Sequence, residues 1–441
     1  MTRQQIPEQA DLVVSASLEE TRFVVSGTHQ EVSDCLEVLC VALSDLPVGQ
    51  LGEVAHTLDG EAASCLDLRT AGALNARYGS QATGLEGHER SWHYLPTADM
   101  LLGHAAAWFT RANAVLTLTG PNPAGLRLPL PLGDRPRRSA PQARQPCASW
   151  THRNIDGVAL SVETPVGSAA AAVAHRILRE RVTAAVTGQP LREAPVEAAT
   201  ALHDSVTVVR LLLASTPASD AEGVAATMWS EALSLARNEP APAEVARHCP
   251  PSGGAAEKLR TLDDAARTEL FGTPFLDEGS RRHALECVTP RDVRDSWQRA
   301  MERAQLVVPQ GLLLHLKGPD GRRLWCTSCW TWDEIPPGGQ AFRQPPVKHV
   351  LRRTAERHWV ILTGESVVSC KPGAHHELRF DDVIALERWG SERNLIGRCG
   401  CNVGVDPAWY RGGQRLTRAL DDAIPTELAF DGAELARPAG P

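Results

Sequence analysis

Lysine is nearly absent from this chain of 441 residues: Lys258, Lys317, Lys348 and Lys371 are the only four, so almost all positive charge is carried by arginine. Basic residues are also outnumbered, 45 Lys and Arg against 53 Asp and Glu, for a formal net charge of -8. That balance excludes nucleic acid or an anionic membrane surface as the main partner. Long apolar runs are missing as well. The longest, such as residues 206–214 (V-T-V-V-R-L-L-L-A), is interrupted by Arg210 and is far too short to span a bilayer. The opening M-T-R-Q-Q-I-P-E-Q-A-D lacks the apolar core of a secretory signal. Together these absences set the expectation of a soluble, cytoplasmic protein. In that compartment eleven cysteines, odd in number and scattered, read as reduced thiols.

What is present is enough chain for two to four domains, each able to bury its own core. Residues 21–26 (T-R-F-V-V-S) alternate as a strand, and Gly27-Thr28 turns the chain into a helix over about 31–46 with a stripe of Val32, Cys35, Leu36, Leu39 and Ala42. A second helix is expected from 49 to about 68. Thr97 is a good N-cap for a third, running to about Phe109, and 113–119 alternate as a strand before Gly120-Pro121 ends it. Residues 134–153, rich in Pro, Arg and Gln, mark a linker. Strand, helix, strand, helix then recur over 157–162, 168–186, 207–214 and 221–237. Further helices are expected at 241–247, 255–270 and 291–304, the last capped by Thr289 with Pro290 in its first turn. From about 342 the texture changes to short β segments punctuated by Gly and Asn, as in a small antiparallel barrel or sandwich.

The Thr97 helix, the F-T-R-A-N-A-V-L-T-L-T-G-P segment after it and the L-R-L-P-L-P-L-G that follows resemble the end of an N-terminal domain of the pitrilysin/insulinase-type metallopeptidases, the inverzincins. The resemblance implies an α+β fold of two tandem domains, over 1–133 (N-terminally shortened) and 154–310 around the 134–153 linker. These are followed by a connector (311–341), a small β-rich domain (342–425) and a tail (426–441). Active members of that family hold zinc with H-x-x-E-H on one helix and a glutamate on a later one. No H-x-x-E-H occurs in this sequence, and the chain begins about where the family's first strand and zinc helix should already have passed. Glu61 matches by position the third zinc ligand, though alone it cannot hold a metal and an ordinary helix glutamate serves the same place. His88-Glu89-Arg90-Ser91-Trp92-His93 spaces its histidines at i+5, which swings the second about 100° from the required helical face. The family's substrate-gripping arginine and tyrosine align near Thr187 and Ala194, neither being kept. Arg192 stands close enough to substitute in substrate binding.

A second candidate metal site rests on cysteine. Cys326-Thr327-Ser328-Cys329 is a C-x-x-C, and Cys399-Gly400-Cys401 a C-x-C some seventy residues later. Two such pairs make a four-thiolate zinc site, whereas cysteines joined by His375, His376 or His349 with one open position would activate a thiol or a water. Buried free thiols are the bland alternative, with no cofactor at all. Trp325, Trp330, Trp332, Trp359, Trp389 and Trp409 are expected to fill the small β domain's core, or, for Trp325 and Trp330, to line a peptide groove.

The function expected from this reading is that of a non-catalytic inverzincin-like subunit holding an extended or precursor peptide, paired with an H-x-x-E-H-bearing peptidase subunit or with a second copy of itself. Two enzymatic alternatives stand beside it. One is a peptide-modifying enzyme on the same shell, such as a thioether ring-forming cyclase of a ribosomal peptide. The other is a metallopeptidase half-site that Glu61 and another chain complete.

Overall fold

The computed structural model describes residues 11–17, 19–51, 54, 68–87, 97–136, 142–187, 196–249, 255–331, 338–345 and 358–431. β1 (Asp11–Ala16) and β2 (Thr21–Ser26) form an antiparallel hairpin. Thr28 then caps α1 (His29–Ser44). Its hydroxyl accepts the Glu31 N–H, and the Glu31 carboxylate returns to the Thr28 N–H at 2.7 Å, so both orphan donors are satisfied. α1 buries Cys35, Leu36, Leu39 and Cys40. Next come α2 (Leu68–Tyr78) and α3 (Ala98–Trp108), the latter begun by Thr97 as its spacing predicts. The helix expected over 49–68 falls mostly outside the described residues.

The strand expected at 113–119 is a correction. After a short 3₁₀ turn at Arg111–Asn113 this stretch has no ladder partner among the described residues. Period-two alternation supplies the faces of a strand but not its neighbour, and hydrogen bonds to a neighbour make the sheet.

A six-stranded sheet follows, built from β3 (Ser149–Arg153), β4 (Val158–Pro165), β5 (Val196–Leu202), β6 (Thr207–Ala214), β7 (Gln305–Pro309) and β8 (Trp325–Cys326) in the order β5-β6-β4-β7-β3-β8. Its intervening helices are α4 (Ala169–Thr187), α5 (Ala221–Arg237), α6 (Pro242–Arg247), α7 (Ala255–Phe271), α8 (Glu278–Glu286) and α9 (Pro290–Met301). β3, within the stretch read as linker, is parallel to both β7 and β8. Five residues with one buried tryptophan are too few to show a period.

Both faces of this sheet are covered, which is why β6 reads as an almost unbroken apolar run. On one face Leu160 and Leu212 pack with Ile177, Met228, Trp229 and Trp297 of α4, α5 and α9. On the other, Ala159, Leu211, Leu213 and Val307 meet Leu74 and Tyr78 of α2. The early helix α2 therefore belongs to the core of the later sheet. It also carries Arg77 into that core, where the guanidinium donates to Ser161 Oγ, Ser161 O and Arg303 O and pairs with Glu163 at 3.5 Å.

The chain ends in a β unit of two four-stranded sheets. β9 (Gln340–Arg343), β10 (Trp359–Leu362), β11 (Ser366–Lys371) and β12 (Ala374–Arg379) form one, in the order β12-β11-β10-β9. β13 (Val383–Trp389), β14 (Glu392–Gly397), β15 (Asn402–Val405) and β16 (Ala429–Asp431) form the other, in the order β15-β14-β13-β16, and α10 (Gly413–Ala423) closes the unit. β16, read as tail, pairs parallel with β13. Among the described residues its main core is Phe342, Leu378, Leu386, Leu395, Leu416 and Leu420 with their neighbours, without tryptophan, while Trp359 packs against a small second cluster of Ile361, Val368 and Cys370. The expectation that tryptophans fill it is therefore corrected: aliphatic side chains alternating inward from both sheets, together with α10, already occupy the space. Trp325 is 70% exposed.

His175, on α4, offers a test of this core. Its Nε2–H donates to Leu211 O at 3.0 Å, and burial pushes its pKa down to about 4, with Arg210 adding to the effect. Unfolded chains bind the proton near pH 6.5 while the folded chain does not, so stability is held above pH 6.5 and lost as pH falls toward 4. The loss amounts to about 3 kcal/mol. In urea denaturation series at pH 7 and pH 4.5, His175→Gln is expected to remove this share of the acid destabilisation. Parallel wild-type and variant curves would refute the assignment.

Candidate functional site

Three chain segments meet at one point beside α2. β8 runs along the sheet edge, and the chain leaving it brings in Cys329. β12 brings His376 from the first sheet of the β unit. The β14–β15 turn brings Cys399 and Cys401 from the second. The ligand atoms of these four residues all lie within 4.8 Å of one another. The cluster borders a cavity of about 530 Å³ lined also by Asn75, Arg153, Trp330 and Lys371.

The turn is shaped by local constraints. Gly397 N–H donates to Cys401 O at 2.9 Å and Gly400 N–H to Gly397 O at 2.9 Å, folding Cys399 back toward Cys401. Gly400 sits at φ +81°, where L side chains are strained. Helix α2 grips the turn from beneath: Ser80 Oγ donates to Gly397 O at 2.7 Å, and Asn75 lies under Gly400. Arg144 donates to Cys399 O at 2.8 Å and approaches Cys329 Sγ at 3.8 Å, while Arg153 donates to Asn75 Oδ1 at 3.0 Å.

The electrostatics follow from this crowding. Hydrogen bonds from Cys399 and Cys401 pull the Cys329 thiol well below its ordinary range, with Arg153 and Arg144 adding to the effect. The Cys401 thiol is pushed up, chiefly by sharing its proton with Cys329 and then with Cys399, and by burial. Cys399 is likewise raised, first by Cys329. Thiolates packed this closely repel each other unless a cation enters between them. Burial keeps the His376 imidazole neutral, its pKa lowered. Its Nε2 is buried and has no hydrogen-bond partner among the described residues. The ring leans against Trp330, and Lys371 Nζ lies over that indole at 4.7 Å.

The candidates read from sequence divide accordingly. Cys329, Cys399 and Cys401 come together. Cys326 is a correction: it lies in the extended β8 and packs against the large sheet's core, and burial raises its thiol pKa. A C-x-x-C closes on one ion through a tight turn, and a strand points its cysteines elsewhere. His376 stands in its place. Its neighbour His375 faces the other way on β12 and pairs with Thr331 Oγ1 at 3.0 Å, as alternation along a strand requires. Glu61, Arg192, His349 and the His88 to His93 run lie outside the described residues. Arg144, Arg153 and Asn75 carried no sequence signal.

A second and larger cavity, of about 1670 Å³, opens between the β2–α1 half and the far side of the chain at 202–206 and 259–271. Val24, Trp108, Leu116, Val206 and Leu259, all among its lining, are at least a third exposed. Arg22 reaches toward Asp263 at 3.0 Å.

Gly400→Ala is expected to destabilise the protein by about 1–3 kcal/mol. The new Cβ would stand 2.5 Å from the Asn75 amide, which Arg153 and Gly84 O hold in place, so neither the turn nor its support can give way. Chemical denaturation against wild type checks this, and an unchanged midpoint would contradict it.

No protein-family model matches the chain, and no curated protein matches it. Solved structures do. A peptidase M16 inactive domain from Pseudomonas fluorescens matches with a TM-score of 0.53 at 15% identity, over 69% of this chain and 82% of that one. A protease from Helicobacter pylori matches with a TM-score of 0.53 at 11% identity, over 68% of this chain and 82% of that one. No helix among the described residues is long and apolar enough to cross a membrane. By sheet, helix order and these likenesses the chain has the inverzincin (M16) fold, in a sequence that contains no H-x-x-E-H.

Proposed function

We propose that this chain is a non-catalytic inverzincin-type subunit that holds an extended peptide in the cleft between the β2–α1 half and the large-sheet half. It works beside an H-x-x-E-H-bearing peptidase subunit or a second copy of itself in peptide maturation. The observation that carries the reading is the cleft itself: about 1670 Å³, with exposed apolar side chains on several of its walls and β2 along one side. The outer edge of β2 has no partner strand among the described residues. A strand edge beside apolar pockets suits an extended chain, which gains main-chain hydrogen bonds from the edge and side-chain selectivity from the pockets. Hydrolysis by this chain alone is disfavoured because the sequence lacks the helix-borne pair of histidines with their glutamate. The reading as a thiol-activating modifying enzyme is also less favoured. Four protein donors already fill a tetrahedral ion, and catalytic zinc sites keep one position open.

The test uses the full chain and a pool of fluorescent extended peptides free of proline and glycine. Fluorescence anisotropy is expected to show binding, with no cleavage when zinc is added. Val24→Glu and Leu259→Glu, both at exposed positions, are each expected to weaken binding about tenfold, the effect of losing one apolar contact worth about 1.4 kcal/mol. Affinity untouched by both substitutions, or peptide cut by the chain alone, would overturn the proposal.

A further inference from the structure

We infer that Cys329, His376, Cys399 and Cys401 bind one zinc ion in a closed, four-coordinate site. That ion joins the carboxy-terminal β unit to the large sheet at the edge where α2 packs. This goes beyond the peptide-holding reading and does not depend on it.

The donor set is one argument. Three thiolates and one imidazole are soft and borderline ligands, the combination that structural zinc takes and that magnesium, calcium and manganese do not. Spacing is another. With metal–sulfur bonds of about 2.3 Å, a tetrahedral ion places its sulfurs about 3.8 Å apart, and these four ligand atoms already lie within 4.8 Å of one another. A two-iron cluster would draw them into two separated pairs, which this compact set does not offer.

The surroundings fit the ion as well as the donors do. His376 belongs to the cluster and is 3% exposed, and its ring carries a buried Nε2 without a hydrogen-bond partner among the described residues. A buried ring nitrogen left without a partner costs free energy that a metal bond offsets. Zinc with three thiolates carries one net negative charge, and two arginines stand ready for it. Arg144 approaches Cys329 Sγ at 3.8 Å, and both Arg144 and Arg153 donate to Cys399 O, the kind of outer contact that orients metal ligands.

The topology says what the ion would do. Cys329 follows the edge strand of the six-stranded sheet, whereas His376 and the Cys399–Cys401 turn belong to the two different sheets of the β unit. One ion therefore closes long loops across three sheets at once, and a metal clip that closes a long loop restricts the unfolded chain most.

Full-length protein purified without chelator is expected to hold about one zinc per chain by elemental analysis. Exchange for cobalt should give the intense visible bands and thiolate charge-transfer absorption of a tetrahedral sulfur-rich site, unchanged on adding mercaptoethanol because no position is open. Removing the metal should lower Tm by on the order of 5 °C or more. Cys401→Ser and His376→Gln should each lose most of the zinc, and Cys326→Ser should keep it. Protein that is zinc-free and takes up no cobalt would overturn the inference even if every variant misfolds. So would zinc lost in Cys326→Ser but kept in His376→Gln, or a cobalt spectrum that shifts with added thiol.

Discussion

The structure depends on the burial of one charged side chain. The Arg77 guanidinium, 3% exposed, reaches from helix α2 into the large sheet and is held there by Ser161, Arg303 O and Glu163, while its neighbour Tyr78 donates to the same Glu163 at 2.9 Å. A charge that deep is tolerable only when its donors are nearly all satisfied, so the position of α2 on the sheet is tightly specified. Removing either partner would leave the other charge buried and unpaired, a cost of about 3–5 kcal/mol.

That constraint propagates outward in both directions. On one side α2 completes the second apolar layer of the sheet through Leu74 and Tyr78. On the other, its carboxy-terminal end is the floor on which the Cys399–Cys401 turn rests, with Gly79 and Gly84 close enough to backbone that a side chain at either would collide. The cysteine–histidine cluster is thus built on an element from the first third of the chain, although all its donor residues come from the last third. A metal there would hold the β unit to a surface that α2 has already fixed.

The chain combines an inverzincin fold with a sequence that contains no H-x-x-E-H. The inverzincin architecture makes a cleft between halves as a consequence of its layout, independent of whether zinc ligands line it. The cleft is lined by exposed apolar side chains together with polar ones, among them Arg22, which pairs with Asp263 and Glu20. The cysteine-rich cluster lies elsewhere, at the junction with the β unit.

Helix caps and stripes were legible in the sequence because they are local. Thr28, Thr97 and Thr289 each begin a helix where their spacing to the next residues predicts, and the apolar run at 207–214 announced the strand β6. The proximity of Cys329 to Cys399 and Cys401 was readable as a set of metal-binding residue types. Which fourth residue joins them was not. Strand alternation on β12 puts His376 and His375 on opposite faces, both buried, and the pairing of β8 with the distant β3 carries Cys326 away. The same holds for β3, for the stretch 113–119, which finds no ladder partner among the described residues, and for the aliphatic main core of the β unit. Sequence by itself determined the local elements and the missing catalytic motif, because both depend on residues a few positions apart. Tertiary structure decided which cysteines and which histidine cluster, the place of α2 and the cleft, because contacts between segments far apart in the chain leave no trace in local spacing.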